Sequence, residues 1–140
     1  MRRHHKLAIV LVVTAVTLAV LVARLSVSSI VHAPTKPPEY TASDSRIEAR
    51  VGETFVIVLE SNRTTGYGWA LAEQPNAAVV TLVGSEYVAR GVGIPGQGGE
   101  ERWTFRAAGA GAAALRLAYM RPWEKDMPPA KTQTYAVSVR

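Results

Sequence analysis

Few residues of this chain could carry out catalysis, and their positions exclude the common hydrolase mechanisms. The sequence has no cysteine, and its three histidines, His4, His5 and His32, all precede residue 33. Beyond that point a Ser-His-Asp triad, a Cys-His pair or a histidine-bound zinc ion cannot be built. Disulfides and thiolate metal sites are excluded as well. We therefore predict no catalytic residue, no metal site and no cofactor.

Acid–base chemistry would have to rest on carboxylates such as Glu100, Glu101, Glu124 and Asp126. Glu100 and Glu101 are adjacent, and adjacent residues of a strand point to opposite faces. A catalytic pair needs both carboxylates beside one substrate. We therefore expect this pair to be solvated, which argues against an enzyme.

Residue types suited to binding are concentrated in three segments, residues 62–69, 91–99 and 121–129. Each segment alone is compatible with a plain connector, because glycine supplies positive φ in turns and an indole can cover the edge of a core. The glycine-rich segment 91–99 is not a phosphate-binding loop, since it lacks the G-x-x-x-x-G-K-[ST] pattern and no helix follows it.

Short β-like runs separate these segments and must hold them in place. Short runs bounded by turn residues predict about seven strands. Residues 54–61 are nearly all apolar, whereas residues 101–107, 113–120 and 131–139 alternate apolar and polar residues, which gives a strand one buried and one solvated face. The predicted runs are residues 54–61, 69–72, 79–83, 86–89, 101–107, 113–120 and 131–139. Such a series predicts an all-β fold, an immunoglobulin-like antiparallel β-sandwich over residues 44–140 with no helix inside it.

The N-terminal part has the pattern of a targeting segment followed by a linker. Residues 1–6 are basic and residues 7–23 carry no charge, as in an export signal. As a helix, residues 7–23 would cover about 25 Å, slightly less than the hydrocarbon core of a bilayer. Residues 1–32 are thus predicted to form a hydrophobic helix, either a signal peptide or a signal anchor that tethers the chain through residues 7–23. The proline-rich residues 33–43 suit an extended linker.

Retention of the basic residues on the cytoplasmic side would place the domain outside the cytoplasm, either anchored to the membrane or secreted. The chain has 16 basic and 11 acidic residues, and residues 1–40 contain five of the basic residues and one acid. The remainder is nearly neutral, so it lacks the basic surface that nucleic acid requires. We expect a monomer that does not bind nucleic acid.

Taken in order, the three segments contain the patterns N-x-T-T-G-Y-x-W, G-x-G-G-x-x-x-W and R-P-W. This series resembles the chagasin-type inhibitors of papain-like cysteine peptidases, over roughly residues 47–139. The matching residues are Asn62, Thr64, Thr65, Gly66, Tyr67, Trp69, Gly96, Gly98, Gly99, Trp103, Arg121, Pro122 and Trp123. The resemblance implies a reversible inhibitor whose first loop enters the active-site cleft while the other two loops grip its walls.

By this resemblance, twelve residues are expected to contact the peptidase. They are Asn62, Arg63, Thr64, Thr65, Gly66, Tyr67, Gly96, Gly98, Gly99, Arg121, Pro122 and Trp123. We assign Trp69 and Trp103 mainly to the core. Tyr67 either packs at the base of its loop or faces the peptidase. Arg121 either binds a carboxylate of the partner or braces its own loop.

Arg63 departs from the family pattern, in which proline commonly follows the asparagine, and Pro95 is a smaller variation. Loss of proline is expected to loosen the loop and reduce its preorganisation, and the added cation is expected to alter the choice of target. The alternative function is an extracytoplasmic immunoglobulin-like adhesion or assembly module that binds another partner and inhibits no peptidase.

Overall fold

Alternating burial marks several strands of this protein, as expected from the sequence pattern. The computed structural model describes residues 35–91 and 96–140. In its sixth strand, Trp103 and Phe105 are buried while Arg106, on the opposite face, is exposed. The eight strands of the described residues are β1 (Glu39–Tyr40), β2 (Arg46–Ala49), β3 (Thr54–Ser61), β4 (Gly68–Leu71), β5 (Val80–Ala89), β6 (Gly99–Ala107), β7 (Gly111–Met120) and β8 (Lys131–Val139). Helical structure in these residues is limited to a 3-10 turn at Arg63–Thr65.

The strands form two four-stranded sheets, ordered β1-β3-β6-β5 and β2-β8-β7-β4. Both sheets are mixed, because β1 pairs with β3 and β2 pairs with β8 in parallel, whereas the other pairs are antiparallel. The expectation of purely antiparallel sheets is therefore wrong. Period-two alternation tells which face of a strand is buried, but it carries no information about the direction of the neighbouring strand.

Strand β5 also differs from the prediction of two short strands joined near Gly84. It is continuous from Val80 to Ala89, and its register against β6 shifts between Leu82 and Gly84. A bulge of this kind takes up one extra residue without ending the strand, and glycine tolerates the local bend. The Gly84-Ser85 pair that suggests a turn in the sequence therefore lies inside a strand.

One hydrophobic core joins the two sheets. The first sheet contributes Phe55 and Phe105, whose rings stack with centroids 5.7 Å apart. The second contributes Leu115, Leu117 and other side chains of β7 and β8. Full burial of each such side chain is worth about 1.5–3 kcal/mol. This core is the scaffold on which the connecting loops are held.

The segment before β2 packs on the sandwich. The Tyr40 ring meets Phe55 edge-on at 6.1 Å, and Tyr135 Oη donates a hydrogen bond to the Thr41 carbonyl at 2.9 Å. Burial raises the pKa of Tyr135 to about 12. Residues 39–41, which their composition places in the linker, thus belong to the folded unit of residues 36–140.

The export or anchor helix predicted within residues 1–32, including the tether at 7–23, lies outside the described residues. Within residues 35–91 and 96–140, no helix has the length and apolar character needed to cross a membrane.

Strand register brings three loops to one end of the sandwich. Ser61, the last residue of β3, pairs with Gly99, the first residue of β6, and Gly68 at the start of β4 pairs with Met120 at the end of β7. The first loop (residues 62–67), the described part of the second loop (residues 90–91 and 96–98) and the third loop (residues 121–130) are therefore neighbours. The loops that the sequence singles out share one surface.

Candidate functional site

The first loop owes its shape to local hydrogen bonds around the 3-10 turn. Asn62 caps the turn, since its Oδ1 accepts from the Thr64 backbone N at 3.2 Å and from Thr64 Oγ1 at 2.6 Å. Thr65 Oγ1 donates to the Asn62 carbonyl at 2.6 Å. Both hydroxyl protons are thus used inside the loop, so the exposed threonines offer a partner hydrogen-bond acceptors and not donors.

Gly66 ends the turn in the left-handed region, with φ of 80°. That conformation is strained for residues with a side chain. A Cβ atom on Gly66 would also overlap the indole of Trp123, with Cζ2 only 2.9 Å away. Glycine at this position therefore permits both the turn and the close contact between the first and third loops.

The third loop braces the first through Arg121. Its Nε donates to the Thr65 carbonyl at 3.1 Å, and its Nη1 donates to Glu124 Oε1 at 2.9 Å. Its Cζ atom also lies 4.4 Å from the centre of the Tyr67 ring. The hydrogen bond with Glu124 raises the pKa of Arg121. Of the two roles that the sequence leaves open, the structure shows the internal brace.

Three aromatic rings form the base of the first loop. Tyr119 stacks on Tyr67 with centroids 5.3 Å apart and contacts Trp69 at 5.1 Å. Its hydroxyl accepts a hydrogen bond from the Asn62 backbone N at 2.8 Å. Tyr67 therefore packs at the loop base. Trp69 packs against the core from its edge and Trp103 is buried in it, as expected.

The second loop approaches the first through glycine backbone. Gly96 and Gly98 have positive φ, and a Cβ on Gly98 would lie 3.2 Å from the Ser61 carbonyl. Gly99 is buried, and a Cβ there would collide with the Val88 carbonyl and the Tyr87 hydroxyl. In the unbound protein these two glycines serve the packing of the loop. Pro95 lies outside the described residues.

Sequence reasoning missed Glu101. This side chain is 3% exposed, and its Oε1 accepts from Ser61 Oγ at 2.7 Å and from the Trp69 backbone N at 3.2 Å. The expectation that Glu100 and Glu101 are both solvated is therefore wrong for Glu101. The alternation of β6 could have revealed this, because Glu101 stands two residues before Trp103 and shares its buried face.

The exposed part of this end combines polar and apolar binding groups. Arg63, Thr64, Thr65, Pro122 and Trp123 are exposed, and Trp123 has 66% of its surface accessible. Within the part of the chain that the structure describes, no three acidic or histidine side chains are grouped so that they could hold a metal ion. The arrangement offers hydrogen-bond acceptors, a guanidinium group and an aromatic anchor, which are means of binding a protein.

Relatives of known sequence share the folded part of the chain. The model of the Chagasin family peptidase inhibitor I42 matches residues 48–139. Chagasin from Trypanosoma cruzi is 39% identical over 77 residues, and the match covers 52% of this chain and 69% of chagasin. Amoebiasin-1 from Entamoeba histolytica is 30% identical over 99 residues, and the match covers 69% of this chain and 90% of amoebiasin-1.

Solved structures share the same fold. The solution structure of Amebosin has a TM-score of 0.62 at 29% identity, covering 76% of this chain and all of that one. The cysteine protease inhibitor EhICP2 from Entamoeba histolytica has a TM-score of 0.64 at 23% identity, covering 74% and 95%. PbICP-C, solved in complex with falcipain-2, has a TM-score of 0.55 at 18% identity, covering 77% and 95%. Since the family model matches well over half of its residues, this chain belongs to the chagasin family of peptidase inhibitors.

Proposed function

We propose that this protein is a reversible inhibitor of papain-like cysteine peptidases that covers the active-site cleft with its three loops. The observation that carries the proposal is the joining of the first and third loops at one end of the sandwich. Gly66 packs under Trp123, and Arg121 holds the Thr65 carbonyl. The family pattern thus corresponds to one braced surface in this chain.

The geometry of the first loop suits occlusion of a cleft. At Gly66 the loop has no side chain that could occupy a substrate pocket, and its backbone can approach a catalytic thiol closely. The hydroxyl oxygens of Thr64 and Thr65 remain as acceptors for donors that line the cleft. The chain has no cysteine to form a disulfide with the enzyme, which fits non-covalent and reversible binding.

The third loop supplies the anchor. Trp123 is mostly exposed, and Pro122 beside it restricts the backbone, so little conformational entropy is lost when the indole docks. Aromatic side chains commonly dominate the binding energy of protein interfaces. The complex of PbICP-C with falcipain-2 and the description of EhICP2 as a cysteine protease inhibitor support a peptidase as the partner.

Inhibition assays test this proposal directly. The full chain, kept in a mild nonionic detergent because of its apolar residues 7–23, would be titrated from nanomolar to micromolar concentration against papain and a cathepsin-L-like peptidase. We expect competitive inhibition, strongly weakened by the double substitution Thr65→Ala with Trp123→Ala. No inhibition at micromolar concentration by the folded protein would contradict the proposal and favour the adhesion or assembly module.

We further propose that residues 1–32 place the inhibitory domain outside the cytoplasm, anchored or secreted. The support is the basic start followed by the uncharged residues 7–23. The test is expression of the full chain in a bacterial host, followed by protease treatment of spheroplasts. If the domain remains anchored outside, we expect the protease to degrade it. If it is secreted, we expect to find it in the medium. A domain found intact inside the spheroplasts would contradict the proposal, and N-terminal sequencing would distinguish a cleaved signal from an anchor.

A further inference from the structure

Glu101 is a buried carboxylate directly beneath the loop surface. It is the one buried acidic residue in the part of the chain that the structure describes. Removing a carboxylate from water is costly unless hydrogen bonds and opposite charge compensate it. The partners that provide this compensation all belong to the first loop or to the strands on either side of it.

Two of these partners tie together the ends of the first loop. Ser61, the last residue of β3, donates its hydroxyl to Glu101 Oε1 at 2.7 Å, and the backbone N of Trp69 in β4 donates to the same oxygen at 3.2 Å. The two residues stand on opposite sides of residues 62–67 and in different sheets. Glu101 Oε1 in β6 therefore accepts hydrogen bonds from residues at both ends of the first loop and fixes the distance between those ends.

The third partner is Arg63 within the loop itself. Its Nε lies 3.9 Å from Glu101 Oε1, and its Cζ lies 4.6 Å from the centre of the Tyr87 ring. The Arg63 guanidinium is attracted to the aromatic face of Tyr87. The carboxylate of Glu101 lies within ion-pair distance but too far for a hydrogen bond, and the Arg63 side chain is 55% exposed. Arg63 thus lies between Tyr87 of β5 and Glu101 of β6, at the position where the loss of proline is expected to loosen the loop.

We propose that Glu101 is a positioning residue of the inhibitory surface. Its buried carboxylate joins the two ends of the first loop and holds Arg63 against Tyr87, so that the loop enters the peptidase cleft in the shape it already has. Glu101 acts through Ser61, Arg63 and Trp69. This inference rests on the proposed function.

The test compares association and dissociation rates of the full chain with papain for the native protein and for Glu101→Gln. Glutamine keeps an acceptor for Ser61 and Trp69 but removes the charge that holds Arg63. We expect the association rate constant to fall about tenfold, because only the fraction of molecules with a correctly shaped loop can bind. The dissociation rate constant should change less than about twofold, since the substitution acts on the shape of the unbound loop, which the cleft maintains once the loop is bound.

The matched control is Glu100→Gln, one residue away in β6. Glu100 is on the opposite face and accepts a hydrogen bond from Arg102 at 2.9 Å. We expect its association rate constant to remain unchanged. A thermal unfolding curve of each variant distinguishes a change of loop shape from a loss of folded protein.

A folded Glu101→Gln variant that associates as fast as the native protein would overturn this inference and leave the proposed function intact. If that variant does not fold, Ser61→Ala decides, because it removes one hydrogen bond to the carboxylate and no charge. A fall of about threefold in its association rate constant supports the inference, and an unchanged rate overturns it. Failure of the native chain to inhibit papain would remove both the proposed function and the inference.

Discussion

The two ends of the sandwich are held together in different ways, although the same strands run between them. At the turn end, which consists of residues 50–53, 72–79 and 108–110, the hydrogen bonds of the turns have backbone N–H groups as donors, whether the acceptor is near or far along the chain. The Gly52 N–H donates to the Ala107 carbonyl at 2.8 Å, and the Arg50 N–H donates to Glu53 Oε2 at 2.9 Å.

At the loop end, formed by the first, second and third loops, side chains distant in sequence tie the loops to one another. Arg121 donates a hydrogen bond to the Thr65 carbonyl, 56 residues away in the sequence. The Tyr119 hydroxyl accepts one from the Asn62 backbone N, 57 residues away. A turn that only reverses the chain can be closed by backbone hydrogen bonds. A surface that must keep its shape against a partner requires bracing by side chains as well, because loop freedom lost on binding costs affinity.

Glycine substitutions at the two ends should give the largest difference in the inhibition constant. Gly66 and Gly52 both have positive φ, of 80° and 91°, but a Cβ at 66 would meet the Trp123 ring whereas a Cβ at 52 would meet nothing within 4 Å. We expect Gly66→Ala to raise the inhibition constant for papain about a hundredfold, because both loops must shift. Gly52→Ala should cost about 1–2 kcal/mol of stability and leave inhibition unchanged. Equal inhibition constants for the two variants would contradict the comparison.

Removal of an exposed apolar side chain at each end should give the second largest effect. Trp123→Ala is expected to raise the inhibition constant about thirtyfold, equivalent to roughly 2 kcal/mol of lost binding energy. Val51→Ala, at a residue 52% exposed at the turn end, is the control and should inhibit like the native protein. Both variants should unfold at the native temperature, because neither side chain lies in the core. Native inhibition by Trp123→Ala would exclude the indole as the anchor.

The braces themselves can be tested with two arginines. Arg121→Gln removes the guanidinium that holds the Thr65 carbonyl and Glu124, and we expect inhibition to weaken about tenfold as the first loop gains freedom. Arg140→Gln breaks an exposed ion pair with Glu48, a kind of pair that contributes little. Its inhibition constant should stay within about twofold of the native value. Equal inhibition constants for the two variants would show that bracing does not matter.

The smallest effect on inhibition is expected from a substitution of Tyr135, a core residue that belongs to neither end. The folded protein keeps the Tyr135 proton up to a pKa of about 12, whereas a tyrosine in the unfolded chain loses it near pH 10. This contribution to stability is complete below pH 10 and is lost as the pH rises to 12, by about 2 kcal/mol. Urea unfolding at pH 9 to 12 should show the loss in the native protein and much less of it in Tyr135→Phe. Inhibition at neutral pH should be the same for both, and an equal alkaline loss in the variant would contradict the assignment to Tyr135.

Local patterns predicted the strands well, with particular exceptions. The bounds of β3 and β8 agree with the predicted runs 54–61 and 131–139, because the apolar run of β3 and the alternation of β8 are both properties of consecutive residues. The short strands β1 and β2 were not among the predicted runs. The bulge in β5 and the parallel pairing of β1 and β2 were also missed, because both depend on which strand lies alongside, and no local pattern contains that information.

The candidate site was predictable as a set of motifs but not as a set of contacts. The order of the threonine-glycine, glycine-rich and Arg-Pro-Trp segments was sufficient to indicate the family, which the family model confirms. The sequence could not show that Arg121 braces its own protein, because the acceptor is the carbonyl of Thr65, 56 residues away in the chain. The contacts of Glu101 with Ser61 and Trp69 likewise depend on how the two sheets are stacked.

Sequence alone was enough for the all-β class, the three segments that match the family pattern and the absence of cysteine and histidine from the folded unit, since each is a matter of composition or of near neighbours. Folding was needed to bring Gly66 under Trp123, to set Arg121 against Thr65 and to bury Glu101 beneath the first loop. These contacts join residues that are far apart in the chain. Their formation depends on the pairing and packing of whole strands, which is a property of the assembled core.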